Sequence, residues 1–291
     1  MVLSLVLAYI SFTFNSLLLQ MKIFKNKKNL ISEISNKKNI AFVPTMGSIH
    51  KGHLSLIKRA KKEFKNVVVS IYINPKQFNS NLAFKKYPRN LNKDIVILKK
   101  LNVKYLYIPT DNDIYSFRPS SPIYLNKFSK KLCGKFRPSH FKGVINVINR
   151  FIEIIKPHSI YLGLKDLQQL SLIKLHIDKN KIPTKVISCP TIRDVNGVAL
   201  SSRNKKLKLN QIKIAGKIYR YLRDKKRNII SGNFRKQQLV FINEIKLLGV
   251  KKIDYLEYIN LKNFKSPKSV NENYNIFIAY YLGKIRLIDN L

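Results

Sequence analysis

The chain has 291 residues, 45% of them hydrophobic, which is enough to bury a substantial core in one large domain or two smaller ones. Its 56 lysines and arginines outnumber 15 acidic residues and give a formal charge of +41, but they are spread along the chain without a recognised nucleic-acid-binding motif, so we favour a coding bias toward Lys, Asn and Ile over a specific nucleic-acid partner. The two cysteines, Cys133 and Cys189, exclude a disulfide framework and favour a cytoplasmic protein.

The first twenty residues differ from the rest of the chain, because no charged side chain precedes Lys22. They lack the basic start and the clear cleavage site of a signal peptide. They are long enough to span a membrane, but polar residues such as Ser11 and Asn15 dilute their apolar character. We predict that 1–20 lie outside the fold and reflect an upstream start codon, with the working protein beginning at Met21. A targeting or anchoring segment is the alternative.

From Met21 onwards, short apolar runs alternate with stretches of helical periodicity. We predict strands at the short β-branched or apolar runs 40–43, 67–73, 103–108, 159–162 and 184–188. We predict helices at 52–65, 90–101, 142–156 and 166–178. This alternation indicates a Rossmann-like α/β domain over 21–191, with a parallel sheet covered by helices on both faces. Ligands usually bind at the carboxyl ends of such strands.

The pattern changes after residue 192. A polar loop with one glycine, 193–204, precedes predicted helices at 210–223 and 234–249. Predicted strands then follow at 253–259, 275–280 and 284–288. We therefore predict a second, smaller α/β domain over 192–291, a lid that closes over a site on the first domain.

The motif P-T-M-G-S-I-H-K-G-H, residues 44–53, follows a predicted strand and opens a predicted helix. If the helix begins near His50, then His50 and His53 share one face of it. Free N–H groups at a helix N-terminus suit phosphate, and two imidazoles there can donate to phosphate oxygens. The alternative is a pair of surface histidines at a helix start.

Gln77 ends the segment S-I-Y-I-N-P-K-Q-F, residues 70–78, just past the clearest predicted strand. Its amide has both donors and an acceptor, which suits a hydroxy acid or carboxylate. A turn determined by Asn74 and Pro75 alone is the alternative interpretation.

The segment Y-L-G-L-K-D-L-Q-Q-L, residues 161–170, places Lys165 and Asp166 in a turn after a strand. Lys165 can reach a phosphate, and Asp166 can cap the next helix or bind a ribose hydroxyl. Gln169 would project from the first helical turn. An ordinary strand-to-helix turn is the alternative.

The segment 189–204 contains Ser201, Ser202 and Arg203 after a hairpin-like stretch. Two hydroxyls and a guanidinium can clamp phosphate, with Arg203 binding two oxygens at once. In a random loop these residues would carry no meaning. Their position between the two predicted domains favours a mobile loop that closes on a nucleotide.

Residues 21–291 resemble the pantothenate synthetase family. The resemblance rests on seven motifs in family order, namely P-T-M-G-x-x-H-x-G-H, N-P-x-Q-F, Y-P-R, R-P-x-H-F-x-G-V, G-x-K-D-x-Q-Q, L-S-S-R-N and R-L-I-D-N. It implies a ligase that uses ATP with Mg²⁺. The carboxylate of pantoate attacks the α-phosphate to give pantoyl adenylate and pyrophosphate, and the amine of β-alanine then releases AMP and pantothenate. The resemblance also implies a homodimer. We expect no specific nucleic-acid partner and no membrane partner.

The resemblance also implies the residues of the site. Those matching the family's ATP site are Met46, Gly47, Ser48, Ile49, His50, Lys51, Gly52, His53, Gly163, Leu164, Lys165, Asp166, Ile192, Leu200, Ser201, Ser202 and Arg203. Four of these are the implied catalytic residues, His50, His53, Lys165 and Arg203. Gln77 and Gln169 match the pantoate-binding glutamines, and Asp94 matches an acidic position that makes it a candidate metal ligand.

The chain departs from the family pattern at a few positions. Leu164 replaces a polar residue, Lys142 an arginine, Ser139 a glycine and Cys133 a glutamate. None of these is an implied catalytic residue. Two rival functions stay open from the residues, another adenylate-forming nucleotidyltransferase with a different acceptor, or a basic nucleic-acid-binding protein that has lost catalysis.

Overall fold

The computed structural model describes residues 21–227 and 233–291, so the predicted extension 1–20 lies outside the described residues. Six strands form the main sheet, β1 (Lys22–Phe24), β2 (Ile40–Thr45), β3 (Asn66–Ile71), β4 (Tyr105–Tyr107), β5 (Ser159–Gly163) and β6 (Lys185–Cys189). All neighbouring pairs are parallel, in the order β1-β4-β3-β2-β5-β6. The parallel α/β fold predicted from the alternating pattern is thus confirmed.

Helices connect these strands. They are α1 (Lys27–Ile34), α2 (Lys51–Glu63), α3 (Asn81–Lys85), α4 (Leu91–Lys100), α5 (Asp111–Tyr115), α6 (Cys133–Phe136), α7 (His140–Ile155) and α8 (Leu167–Lys179). The four helices predicted before residue 192 correspond to α2, α4, α7 and α8 within about two residues at each end, as expected for termini. β1 was not predicted, because a strand of three residues with two exposed side chains gives no apolar run in the sequence.

Both faces of the main sheet are buried under helices. Successive side chains of a strand point to opposite faces, so they enter different core clusters. In β2, Phe42 belongs to the core cluster under α7 and α8, whereas Ala41 and Val43 belong to the cluster under α2 and α4. β5 alternates in the same way, with Ile160 and Tyr161 in different clusters. Because both faces are buried, the strands of the main sheet are continuous apolar runs in the sequence rather than alternating ones.

The second sheet lies near the C-terminus. It contains β7 (Lys252–Asn260), β8 (Tyr274–Leu282) and β9 (Ile285–Asn290), all antiparallel, preceded by helices α9 (Leu209–Arg227) and α10 (Phe234–Leu247). One face of this sheet packs on α9 and α10, with Ile278 in their cluster. The other face puts Phe277 into the core of the main sheet. The predicted small sheet is confirmed, while the domain boundary at 191/192 stays a prediction.

None of the helices within 21–227 and 233–291 has the length and apolar character needed to cross a membrane.

Candidate active site

A cavity of about 270 Å³ opens at the carboxyl ends of β2 and β5. The chain runs from β2 to β3 and β4 on one side, and then returns to β5 and β6 on the other. The connections after β2 and β5 therefore diverge and leave a crevice between them, which is where ligands bind in open α/β sheets. Thr45 and Met46 line it from the end of β2, and Gly163 lines it from the end of β5.

Asp94 of α4 stabilises the turn after β2 by hydrogen bonds to its backbone. Gly47 and Ser48 both have positive φ, at 76° and 53°. The two carboxylate oxygens of Asp94 accept hydrogen bonds from the amides of Ser48 at 2.7 Å and Ile49 at 2.8 Å. Asp94 is only 3% exposed and does not line the cavity. Its geometry therefore indicates that it fixes the loop, rather than facing a metal ion as the resemblance implied.

His50 and His53 cap the start of α2. The Nδ1 of His50 accepts a hydrogen bond from the amide of Gly52, and the Nδ1 of His53 accepts one from the amide of His50. Because each neutral ring accepts at Nδ1, its proton is on Nε2, which is free to donate to a ligand. The ring centroids lie 4.0 Å apart, and both residues line the cavity.

Burial keeps both imidazoles neutral. It lowers the pKa of His50 to about 4, with the charges of Lys165 and Lys205 acting in the same direction. It lowers the pKa of His53 to about 3, assisted by the neighbouring His50. At neutral pH both side chains are therefore uncharged hydrogen-bond donors.

The Gln77 backbone is fixed by the start of α7. The carbonyl of Gln77 accepts hydrogen bonds from Nδ1 of His140 at 2.9 Å and from Nη2 of Arg137 at 3.1 Å. Nη1 of Arg137 lies 3.0 Å from Nε2 of His140, which accepts from it. Burial and the charge of Arg137 lower the pKa of His140 to about 3, so it too is neutral. These contacts hold Gln77 against the cavity, where its amide contacts the sulfur of Met46.

The close packing of Gly143 against Lys76 and Gln77 brings α7 to the same turn. A Cβ on Gly143 would lie 2.2 Å from the carbonyl oxygen of Lys76 and 2.8 Å from the amide of Gln77. The side chain of Asn74 also donates to the carbonyl of Gly143 at 3.1 Å. The position of Gln77 thus depends on a glycine 66 residues away in the sequence.

The turn after β5 carries Lys165 and Asp166 into the cavity, and Gln169 follows from α8. The Nδ2 of Asn290 donates to the carbonyls of Leu164 and Lys165, both at 2.9 Å. The Nζ of Lys165 lies 3.9 Å from a carboxylate oxygen of Asp166. Asn290 is the last residue of β9, so the second sheet stabilises the turn that presents Lys165.

The loop Leu200, Ser201, Ser202 and Arg203 forms another wall of the cavity. The amide of Leu200 donates to the carbonyl of Ile192 at 2.9 Å, which closes a hairpin-like turn. Arg193 within this turn binds Asp289 of β9 through both guanidinium nitrogens, at 2.6 and 2.9 Å. The R-L-I-D-N motif thus anchors both this loop and the Lys165 turn.

Most of the predicted ligand residues meet at this one cavity. The lining residues among them are Met46, His50, Gly52, His53, Gln77, Gly163, Lys165, Asp166, Gln169, Ile192, Leu200, Ser201, Ser202 and Arg203. Five other residues of the implied ATP site do not line it, Gly47, Ser48, Ile49, Lys51 and Leu164. Gly47, Ser48 and Ile49 belong to the turn after β2, Leu164 belongs to the turn after β5, and Lys51 is the first residue of α2.

Sequence reasoning missed several lining residues. Tyr87 and Arg137 belong to the Y-P-R and R-P-x-H-F motifs, which carried the resemblance, but neither of these two residues was assigned a role. An apolar wall comes from one face of α7, through Val144, Val147, Ile148 and Phe151. Their helical spacing was a signal for burial, but not for a ligand.

Among the described residues, no group of three or more His, Cys, Asp or Glu side chains could hold a metal ion. In the part of the chain that the structure describes, Asp166 is the carboxylate that lines the main cavity. One carboxylate beside several cations suits an ion that arrives bound to phosphates, since Mg²⁺ usually combines one or two carboxylates with substrate oxygens.

Comparison with known proteins gives one consistent result. The Pantoate-beta-alanine ligase family model matches residues 20–291. A pantothenate synthetase of Pseudothermotoga lettingae is 38% identical over 275 residues, which cover 90% of this chain and 94% of the relative. The crystal structure of pantothenate synthetase from Thermus thermophilus matches with a TM-score of 0.85 and 28% identity, over 93% of this chain and 99% of that one. The pantoate-beta-alanine ligase from Francisella tularensis, complexed with beta-gamma ATP and beta-alanine, matches with a TM-score of 0.78 and 39% identity, over 94% and 97%.

Proposed function

The chain belongs to the pantoate–β-alanine ligase family, and we propose a role for each polar residue of its cavity in the two steps of the ligation. The chain is an ATP-dependent ligase that joins pantoate to β-alanine. The family match favours this activity over the nucleic-acid-binding alternative. One observation carries the assignment of roles, namely that a single cavity at the switch point of the sheet collects His50, His53, Lys165, Arg203 and both glutamines.

In the first step, a carboxylate oxygen of pantoate attacks the α-phosphorus of ATP and pyrophosphate leaves. His50 and His53 donate hydrogen bonds from Nε2 to phosphate oxygens, and these bonds strengthen as negative charge develops. Neutral imidazoles suit this task because the step has no proton to transfer at phosphorus. Lys165 and Arg203 supply the formal charge that neutral histidines lack.

Pantoate occupies the end of the cavity formed by Gln77, Gln169 and α7. Its two hydroxyls and carboxylate match the donors and acceptor of the glutamine amides. Its geminal methyl groups match the apolar wall, which includes Val144 and Val147. A site that combines these features discriminates pantoate from hydroxy acids that lack the methyl groups.

We propose that Mg²⁺ enters with ATP and that Asp166 would be the protein carboxylate that helps to hold it. Among the described residues the cavity combines several cations with the carboxylate of Asp166, a set that would hold an ion arriving with the phosphates of ATP. When bound, the ion offsets phosphate charge, while Lys165 and Arg203 orient the phosphates.

Three further features belong to the same proposal. Residues 192–291 act as a lid, supported by the contacts of Asp289 and Asn290 with two site loops. The protein works in the cytoplasm, supported by the two cysteines, which are free and buried. It forms a homodimer, as the resemblance implied, and a mass measurement in solution tests this.

Product analysis with substitutions of both glutamines tests the roles. The wild-type protein is expected to convert ATP, pantoate and β-alanine into AMP, pyrophosphate and pantothenate in equal amounts. Gln77→Ala and Gln169→Ala are expected to raise the KM for pantoate while leaving the KM for ATP within about threefold, since each removes roughly one or two substrate hydrogen bonds. An equal rise in both KM values would contradict the assignment.

A further inference from the structure

Arg137 lies where the main cavity meets a smaller recess. The recess has a volume of about 40 Å³ and extends between the two sheets, with Cys133 and Tyr255 on its far side. It shares five lining residues with the main cavity, Arg137, His140, Lys165, Asp166 and Gln169. A ligand group bound at Arg137 would therefore lie beside the pantoate glutamines and away from the β2 turn.

The groups that contact the guanidinium of Arg137 are neutral. Its guanidinium contacts the neutral ring of His140 at 3.0 Å and the carbonyl of Gln77 at 3.1 Å. None of the ion pairs found within the described parts of the chain includes it. Burial, and then the positive charge of Arg203, lower the pKa of Arg137 to about 10, so it stays charged at neutral pH.

A partly buried cation without a counter-ion is a site for an anion, because desolvating an unpaired charge is costly. The reaction brings three kinds of anion to the cavity. Lys165 and Arg203 are the cations proposed to bind the phosphates. The pantoate carboxylate loses its charge when it becomes part of the acyl adenylate. The carboxylate of β-alanine keeps a full negative charge from binding to product release.

We propose that Arg137 binds the carboxylate of the amine substrate at the mouth of the recess, so that its amine faces the acyl carbon of the adenylate. This inference rests on the proposed function. The neutral amine nitrogen forms a bond to the acyl carbon, and the bond from that carbon to the AMP oxygen breaks with its electron pair going to the phosphate of AMP. The nitrogen then releases one proton to solvent. Arg137 takes no part in these bond changes and acts by binding the far end of the acceptor, as a bidentate carboxylate partner can.

The test compares β-alanine with β-alaninamide, which has the same amine but no charged carboxylate. In the wild-type protein, kcat/KM for β-alanine is expected to exceed that for the amide by about 10- to 100-fold, the range expected for a charge-assisted hydrogen bond. Arg137→Gln retains a donor for the Gln77 carbonyl but removes the charge. It is expected to lower kcat/KM for β-alanine alone, so that the two acceptors become nearly equal.

Pantoate-dependent ATP–pyrophosphate exchange, measured without β-alanine, separates this inference from the proposed function. Arg137→Gln is expected to lower exchange less than it lowers kcat/KM for β-alanine, because it can act on exchange only through Gln77. Arg118→Gln, at an exposed position, is the control expected to keep the wild-type values of both. Equal losses for both acceptors together with lost exchange would assign Arg137 to Gln77 or the adenylate and overturn the inference. A wild-type protein that prefers the amide would overturn it without any variant. Absence of exchange in the wild type would overturn the proposed function itself, and the inference with it.

Discussion

The side-chain nitrogen of Asn290 lies 2.9 Å from the carbonyl oxygen of Lys165, although 125 residues separate them in the sequence. The same nitrogen is 2.9 Å from the carbonyl of Leu164. One amide therefore satisfies two carbonyls of the turn that presents Lys165 to the cavity. The last strand of the chain thereby determines the position of a cation predicted to bind phosphate.

Replacement of Asn290 should therefore weaken both the turn and adenylation. Asn290→Ala leaves two carbonyls without their donor, which is expected to cost about 1–3 kcal/mol of stability. We also expect pantoate-dependent exchange to fall roughly 10-fold, because Lys165 loses its fixed position. Asn273→Ala, an exposed position in the same part of the chain, is the control. Thermal unfolding and exchange rates measure the two effects, and an unchanged exchange rate would contradict the role of Asn290 in positioning Lys165.

Gly52→Ala should displace the ring of His50. A Cβ at this position would lie 2.9 Å from Cε1 and 3.0 Å from Nδ1 of His50. Because alanine favours helices, the change should not unfold α2, yet we expect exchange to fall at least about 10-fold as His50 loses its donor geometry. Lys58→Ala, on an exposed position of the same helix, should retain the wild-type rate. Wild-type exchange in Gly52→Ala would show that the position of His50 does not matter.

Gly143→Ala should weaken the binding of pantoate. The added Cβ would meet the carbonyl of Lys76 at 2.2 Å, and backbone cannot move as easily as the end of a side chain. We expect a stability loss of about 1–3 kcal/mol and a higher KM for pantoate, as the turn carrying Gln77 shifts. Lys142→Ala, exposed on the same helix, is the control. A raised KM for ATP with an unchanged KM for pantoate would contradict the placement of pantoate at Gln77.

Stability should fall as the pH drops below about 6.5. The pKa values of His50, His53 and His140 are lowered from 6.5 to about 4, 3 and 3, mainly by burial. As the pH falls through 6.5, the unfolded chain binds protons at these residues while the folded chain does not, so their contribution is complete above 6.5 and is lost below it. Thermal unfolding between pH 8 and pH 5 should show this loss, with a smaller slope in His53→Asn. An equal slope in that variant would contradict the low pKa of His53.

The fold followed from local patterns, whereas the supports of the site did not. The β-branched run at 67–73 and the helical spacing after Gly52 predicted β3 and α2, because periodicity reports which face is buried. The role of Asp94 depends on a contact with Ser48 across 46 residues, which no local pattern encodes. Since Asp94 matches an acidic family position, the sequence predicted a metal ligand and not a residue that hydrogen-bonds the backbone of the β2 turn.

The same limit applies to the residues at the mouth of the recess. R-P-x-H-F was recognised as a motif, but its pairing with Gln77 arises only when α7 packs on the turn after β3. The histidines of the β2 turn were predicted with the correct helix start because their capping interactions are local. Motifs thus located the site, and tertiary packing determined what each motif does there.

Exchange of radiolabelled pyrophosphate into ATP, measured with and without pantoate and in the absence of β-alanine, tests most directly whether this cavity forms pantoyl adenylate. We expect exchange that requires pantoate, needs no β-alanine and falls sharply in His53→Asn. Failure to exchange with pantoate, or exchange that depends on β-alanine, would contradict an adenylate mechanism at this site.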